Sequence, residues 1–150
     1  MDKLLFVLMV LCLSAGCVQA QVDPVAKMNE VSFDRISITM GDKKYDVEYA
    51  KTFEQRAQGL MFRKELCEDC GMFFTFDTAK YAGMWMKNTF IPLDVAFIDR
   101  NGVITDIKPL MPHSLESVGS SKKVLYALEM NQGWFANHNV KVGDQITIHR

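Results

Sequence analysis

The sequence predicts a mainly β domain, bordering on α+β: a compact antiparallel sheet, barrel-like or sandwiched, of about eight short strands with two short helices. Three observations predict it. Apolar residues alternate with polar ones in runs of strand length, as in "FDRISI" and "YDVEYA". Turn-forming clusters such as "GDKK" and "DRNG" separate the runs. No long stretch keeps the period of an amphipathic helix, and no internal repeat is present.

The elements follow in chain order. Residues 1–20 read as a signal peptide, with Lys3 at the charged start and "LLFVLMVLCLSAG" as an apolar run too short to span a bilayer comfortably. Val18 and Ala20 form a small-x-small site for cleavage before Gln21, while "SAGC" offers Cys17 for lipidation. Leucine would suit lipidation better where Ser14 stands, so simple cleavage ranks first and an uncleaved anchor last. The protein is therefore expected in the periplasm, or on the periplasmic face of a membrane if Cys17 carries a lipid. Residues 21–30 form a polar leader, and 31–150 form one β-rich domain.

"FDRISI" and "YDVEYA" read as a hairpin about "GDKK". Thr52 and Gln55 have capping-box spacing, Phe53, Ala57 and Leu60 share a helical face, and Gly59 suits a left-handed cap, so a short helix is expected near 53–58. "GMFFTF", "GMWMKNT" and "LDVAFID" read as strands. "DRNG" is a tight turn in which Asn101 and Gly102 both tolerate positive φ, and "VITDIK" returns as the partner strand. From 109 to 123 no periodicity is present, and the segment reads equally as a binding loop or as disorder. "VLYALEM" is a strand, "GWFANHN" a short helix with Asn131 as candidate cap, and "VGDQITIH" a turn and last strand.

Composition excludes some functions. The chain carries 17 basic and 18 acidic residues, and removing residues 1–20 leaves 16 against 17. With no basic run beyond Lys122 and Lys123, nucleic acid has nothing to hold. Cys67 and Cys70 in "LCEDCG" most simply form a local disulfide in an oxidising compartment; a redox-active pair and a metal site are the weaker alternatives. Met84 and Met86 raise the idea of copper, but methionine more often fills irregular cores. His113, His138 and His149 lack metal-ligand spacing and read as surface, while Trp134 and Phe135 read as core anchors. No metal and no cofactor is expected, and the protein reads as a monomer that meets a membrane only through an N-terminal lipid.

Polar residues that interrupt apolar faces point to the site. In "GMWMKNT" one face carries Met84, Met86 and Asn88, and the other Trp85, Lys87 and Thr89. Asp94 shares a face with Ala96 and Ile98, and Glu129 ends the face of Leu125 and Ala127. A carboxylate at such a place is costly unless paired or protonated, so Asp94 and Glu129 are expected to meet Lys87, Arg56 or Arg63 in a partly buried cluster beside Trp85. The bland alternative is a set of ion pairs that finishes the sheet edges.

The strings "RAQGLMFRKEL", "GMFFTF", "MWMKNTFIPLDVAFID", "SVGS", "ALEMNQGW" and "VKVGD", in that order, resemble the exported family known as domain of unknown function 192. The resemblance spans roughly 31–149 and implies a compact β-rich fold with short helices and no established reaction. Matching its pattern picks out Arg56, Gly59, Leu60, Met61 and Arg63, then Gly71 and Met72. It continues through Trp85, Lys87, Asn88, Thr89, Pro92, Leu93, Asp94 and Asp99 to Ser120, Glu129, Gly133, Gly143 and Asp144. The cysteine pair lies outside that pattern, which favours a staple over shared chemistry.

Three functions are compatible with these residues. The first is a small-molecule-binding module whose pocket is lined by Trp85, Lys87, Asn88, Thr89, Asp94 and Glu129, with Arg56 or Arg63 orienting the ligand. An aromatic plate beside amides and charges suits a sugar or cell-wall fragment. The second is a metal-independent hydrolase or lyase in which Asp94 and Glu129 divide acid and base roles and Lys87 stabilises charge. The third is a structural or assembly protein of the envelope, its 109–123 loop meeting a partner.

Overall fold

The computed structural model describes residues 31–149; the expected signal peptide, Cys17 and the expected 21–30 leader lie outside the described residues. Strand makes up 47% of the described residues, which fixes the class as mainly β. Among the described residues nine strands and two short helices run in the order β1 (Asp34–Met40), β2 (Lys43–Ala50), α1 (Phe53–Gln58), β3 (Gly71–Lys80), β4 (Gly83–Met84), β5 (Leu93–Ile98), β6 (Ile104–Leu110), β7 (Val118–Gly119), β8 (Val124–Asn131), α2 (Trp134–Asn137) and β9 (Ile146–His149). Among the described residues no helix is long and apolar enough to cross a membrane.

Seven strands form one curled sheet in the order β6-β5-β8-β3-β2-β1-β9, and β4 pairs with β7 apart from it. Every pairing in the large sheet is antiparallel except β2 with β3. A parallel neighbour needs a crossover, and residues 51–70 with α1 supply it. The edge strands meet at one end: Val103 bridges Gln145, and the Ile146 amide donates to the Gly102 carbonyl at 2.7 Å. There Gly102 has φ +84°, and a Cβ would stand 2.5 Å from the Ile146 carbonyl oxygen, so only glycine lets the edges close. Asn101 does not take the positive φ expected of it; Asp99 Oδ1 instead holds the turn through the amides of Asn101 and Val103.

Alternation along the strands produces two apolar cores. The inner one collects residues from all seven strands, among them Ile38, Phe73, Leu128 and Ile146, and Trp134 and Phe135 of α2 fill it. The outer one, with Met72, Phe74, Val95 and Ala127, is covered by Leu60, Met84, Met86 and Ile91.

Three local expectations are corrected. "GMWMKNT" remains strand only at Gly83–Met84, because the Thr89 amide returns to the Met86 carbonyl and closes a turn with Asn88 at φ +54°. Segment 109–123 is neither structureless nor a free loop. β6 runs on to Leu110, β7 pairs with β4, and the amides of Met86 and His113 tie the two stretches together through Ser114 and Thr89. Asn131 does not cap α2: the cap is Gly133 at φ +83°, and the Asn131 amide donates to the carbonyls of Leu66, Cys67 and Glu68.

Candidate functional site

Helix α1 begins where expected. Thr52 accepts from the Gln55 amide, and Gln55 Oε1 accepts from the amides of Lys51 and Thr52, a closed capping box. Its apolar face, however, is not packed into a core. Phe53 is 73% exposed and Ala57 is exposed, and only Leu60 beyond the helix is buried. That face overhangs the outer side of the sheet, and a cavity of about 230 Å³ opens beneath it.

The walls come from four places. α1 and its exit give Phe53, Arg56, Gln58 and Met61; β3 gives Phe74, Phe76 and Lys80; β4 and the turn after it give Met84, Trp85 and Thr89; β8 gives Glu129. Trp85 stands at the mouth, 49% exposed, with Lys87 Nζ 5.4 Å from its ring. Three non-glycine residues at this junction adopt left-handed φ: Phe62 (65°), Asn88 (54°) and His113 (63°). They are linked, since the Phe62 amide donates to the Asn88 carbonyl and the His113 amide to that of Thr89. Left-handed backbone is costly for bulky residues and persists only where surroundings impose it.

Glu129 is the chemically distinctive member. It is 4% exposed, and among the described residues no group donates to its carboxyl. Burial alone pushes its pKa from 4.5 up to about 8, so it holds its proton at neutral pH. Its neighbours across the sheet are Met72 and Val95, both fully buried. One further strand away in that row stand Glu48, bonded to Arg63, and Lys108, which donates to the Gly119 carbonyl and lies 3.6 Å from Asp106. A second polar atom in the cavity wall, Gln58 Oε1, is buried and has no hydrogen-bond partner.

The structure brings Arg56, Trp85, Thr89 and Glu129 together at this cavity and leaves Arg63, Lys87, Asn88 and Asp94 outside its lining. The expected cluster of carboxylates and cations does not form. Asp94 pairs with Met130 and Glu129 with Val95, so the two carboxyl groups project from opposite faces of the sheet. They cannot divide acid and base roles on one substrate. Asp94 instead accepts the Gly133 amide at 2.8 Å and so holds the residue from which α2 starts. Arg63 is committed to Glu48. Arg56 donates to the carbonyls of Lys51 and Thr75 and to Asp77, whose carboxylate is largely in solvent.

Parity fails at Asn88, whose left-handed turn carries Thr89 inward to 4% exposure, onto the side of Met84 and Met86 rather than that of Trp85 and Lys87. Gln58 and Lys80 were missed. Neither carries a signal in the sequence, since a polar residue on a short helix or near the end of a strand reads as solvent-facing.

Cys67 and Cys70 are joined in a disulfide. Inside that small loop Asp69 accepts from Trp134 Nε1 at 2.9 Å and lies 3.3 Å from His138 Nε2, so the loop anchors α2 and stands apart from the cavity. His138 stacks on Trp134 with ring centroids 4.0 Å apart and is not a free surface residue. Met84 and Met86 pack in the outer core. Among the described residues no group of three or more His, Cys, Asp or Glu side chains could hold a metal ion.

A crystal structure from Sinorhizobium meliloti 1021, of a protein provisionally described as a transcription regulator, is 36% identical with a TM-score of 0.76, covering 79% of this chain and 97% of that one. Another, from Novosphingobium aromaticivorans DSM 12444 and of unknown function, is 30% identical with a TM-score of 0.70, covering 84% of this chain and 90% of that one. A search of curated proteins found no match. The family model described as DUF192, Uncharacterized ACR, matches residues 15–148, and the chain belongs to that family.

Proposed function

We propose that this protein is an exported small-molecule-binding module whose ligand occupies the cavity between α1 and the outer face of the sheet. The observation that carries the proposal is Glu129, a buried carboxyl at a cavity wall to which no described residue donates. An unpaired buried carboxyl costs several kcal/mol relative to an apolar residue of its size. The other inward carboxyl groups of the sheet are satisfied, Asp94 by Gly133 and Asp106 by Thr105 and Ser121. Structure alone would favour leucine or methionine at 129; a ligand that completes the hydrogen bonding accounts for glutamate.

Binding is favoured over catalysis because the lining offers one carboxyl, and Asp94, the carboxyl expected to divide acid and base roles with it, lies on the opposite face of the sheet. The cavity is smaller than the ~300–1,000 Å³ of drug-sized sites. Its ligand would be no larger than one sugar ring or a single building block of a cell-wall fragment, with Phe53 and Trp85 covering its apolar side. Export rests on the apolar, cleavable pattern of residues 1–20.

Thermal unfolding against millimolar sugars, amino acids and wall fragments tests this. A ligand present at 100 times its Kd adds about 2.7 kcal/mol of stability. The expected result is a saturable rise in Tm that Phe53→Ser and Glu129→Gln both reduce. No shift across the panel would remove the binding role.

A further inference from the structure

We propose that the ligand is an amino-acid-like zwitterion, its ammonium group lodged at the Glu129 carboxyl and Gln58 Oε1 and its anionic group facing Arg56 and Lys80. This rests on the binding role given above. Gln58 Oε1 is buried without a partner among the described residues, and no described residue donates to the Glu129 carboxyl at the wall of the same cavity; once Glu129 is ionised the two are acceptors only and call for a group rich in N–H and without lone pairs. An ammonium has three donors and no acceptor, whereas each hydroxyl brings lone pairs that would themselves need partners.

Charge decides the other end. At neutral pH the lining carries the cations of Arg56 and Lys80 and a protonated Glu129, so a bare amine would be repelled. An anion on the same molecule removes that penalty. Arg56 keeps donor capacity beyond its bonds to Lys51, Thr75 and Asp77, and Lys80 Nζ lies 4.7 Å from the centre of the Phe76 ring. The remaining charged groups around Glu129 are engaged elsewhere: Glu48 with Arg63 on the β2 side, Lys108 with Asp106 and Gly119 on the β6 side, and Lys87 over Trp85 outside the cavity.

Docking the ammonium would ionise Glu129 and send its proton to solvent, while the ligand keeps its own. Binding below pH 8 would therefore release about one proton per ligand, and affinity would rise about tenfold between pH 6 and pH 7 and level off above about pH 8.

Titration calorimetry of the purified protein at pH 6, 7 and 8, in phosphate and in Tris, measures both effects. The probes are D-alanine, L-alanine and 4-aminobutyrate, set beside butyrate, butylamine and N-acetylglucosamine. The expected result is binding of at least one zwitterion, with proton release that vanishes in Glu129→Gln and affinity weakened about tenfold or more in both Glu129→Gln and Gln58→Leu. A zwitterion that binds without proton release, and equally well to Glu129→Gln, would overturn the proposal. Binding of N-acetylglucosamine or butyrate alone would overturn it too, while leaving the cavity a ligand site. Silence from every probe, joined to a flat thermal panel, would remove both.

Discussion

On the inner face of the sheet Trp134 Nε1 donates to Asp69, the Gly133 amide donates to Asp94, and His138 stacks on the indole. On the outer face, two strands from the Glu48–Arg63 pair, Glu129 has no donor among the described residues and Gln58 Oε1 has none either. Both faces are well buried, so burial does not separate a structural face from a functional one. What separates them is whether the polar groups are satisfied from within. Among the described residues the polar groups named on the inner face are paired, and the outer face leaves the Glu129 carboxyl and Gln58 Oε1 without a donor.

The contrast is broken most directly through pH. Glu129 has its folded pKa raised from 4.5 to about 8, so between those values the folded protein keeps a proton that the unfolded chain has lost. Stability is then full below pH 4.5, falls as pH rises through the window and levels off above about 8, by roughly 5 kcal/mol at most. Urea unfolding from pH 5 to pH 9 should show that decline in the wild type and lose most of it in Glu129→Gln. An unchanged profile in the variant would mean that Glu129 is satisfied after all.

The inner face should respond to volume instead. Trp134 is 3% exposed and touches Tyr45 edge-on at 5.0 Å, and truncation to alanine would leave a cavity and strand Asp69. The expected loss is about 4 kcal/mol in urea unfolding. Any binding defect should follow the unfolded fraction and disappear once the protein is folded. A binding defect in fully folded Trp134→Ala would mean that the two faces are coupled.

Much of this was legible in the chain. The β class, the hairpin about Gly41, the capping box of Thr52 and Gln55 and the disulfide all depend on local spacing, which sequence displays. The alternation that put Asp94 with Ala96 and Glu129 with Ala127 was also right within each strand. It failed between strands, because register pairs Ala96 with Leu128 and so turns the two carboxyl groups to opposite faces. Nothing in either strand's own pattern carries that register. Asn88 and β7 were hidden for a related reason: a single left-handed residue and a strand of two residues leave too short a trace to show any period.

The smallest effect on stability is the sharpest separation of binding from folding. Phe53 lies on the apolar helix face it shares with Ala57 and Leu60, yet it is 73% exposed at the cavity wall. Replacing it with serine removes almost no buried surface and leaves the Thr52–Gln55 cap untouched, so the stability of the free protein should change by no more than about 0.5 kcal/mol. The same change strips one apolar wall from the ligand. If the cavity is the site, ligand-induced stabilisation shrinks while the unliganded Tm stays fixed. If Phe53 matters only to packing, the unliganded Tm falls and the ligand-induced shift is kept. The helix that covers Glu129 thus gives a test in which the two explanations of one exposed aromatic move different quantities.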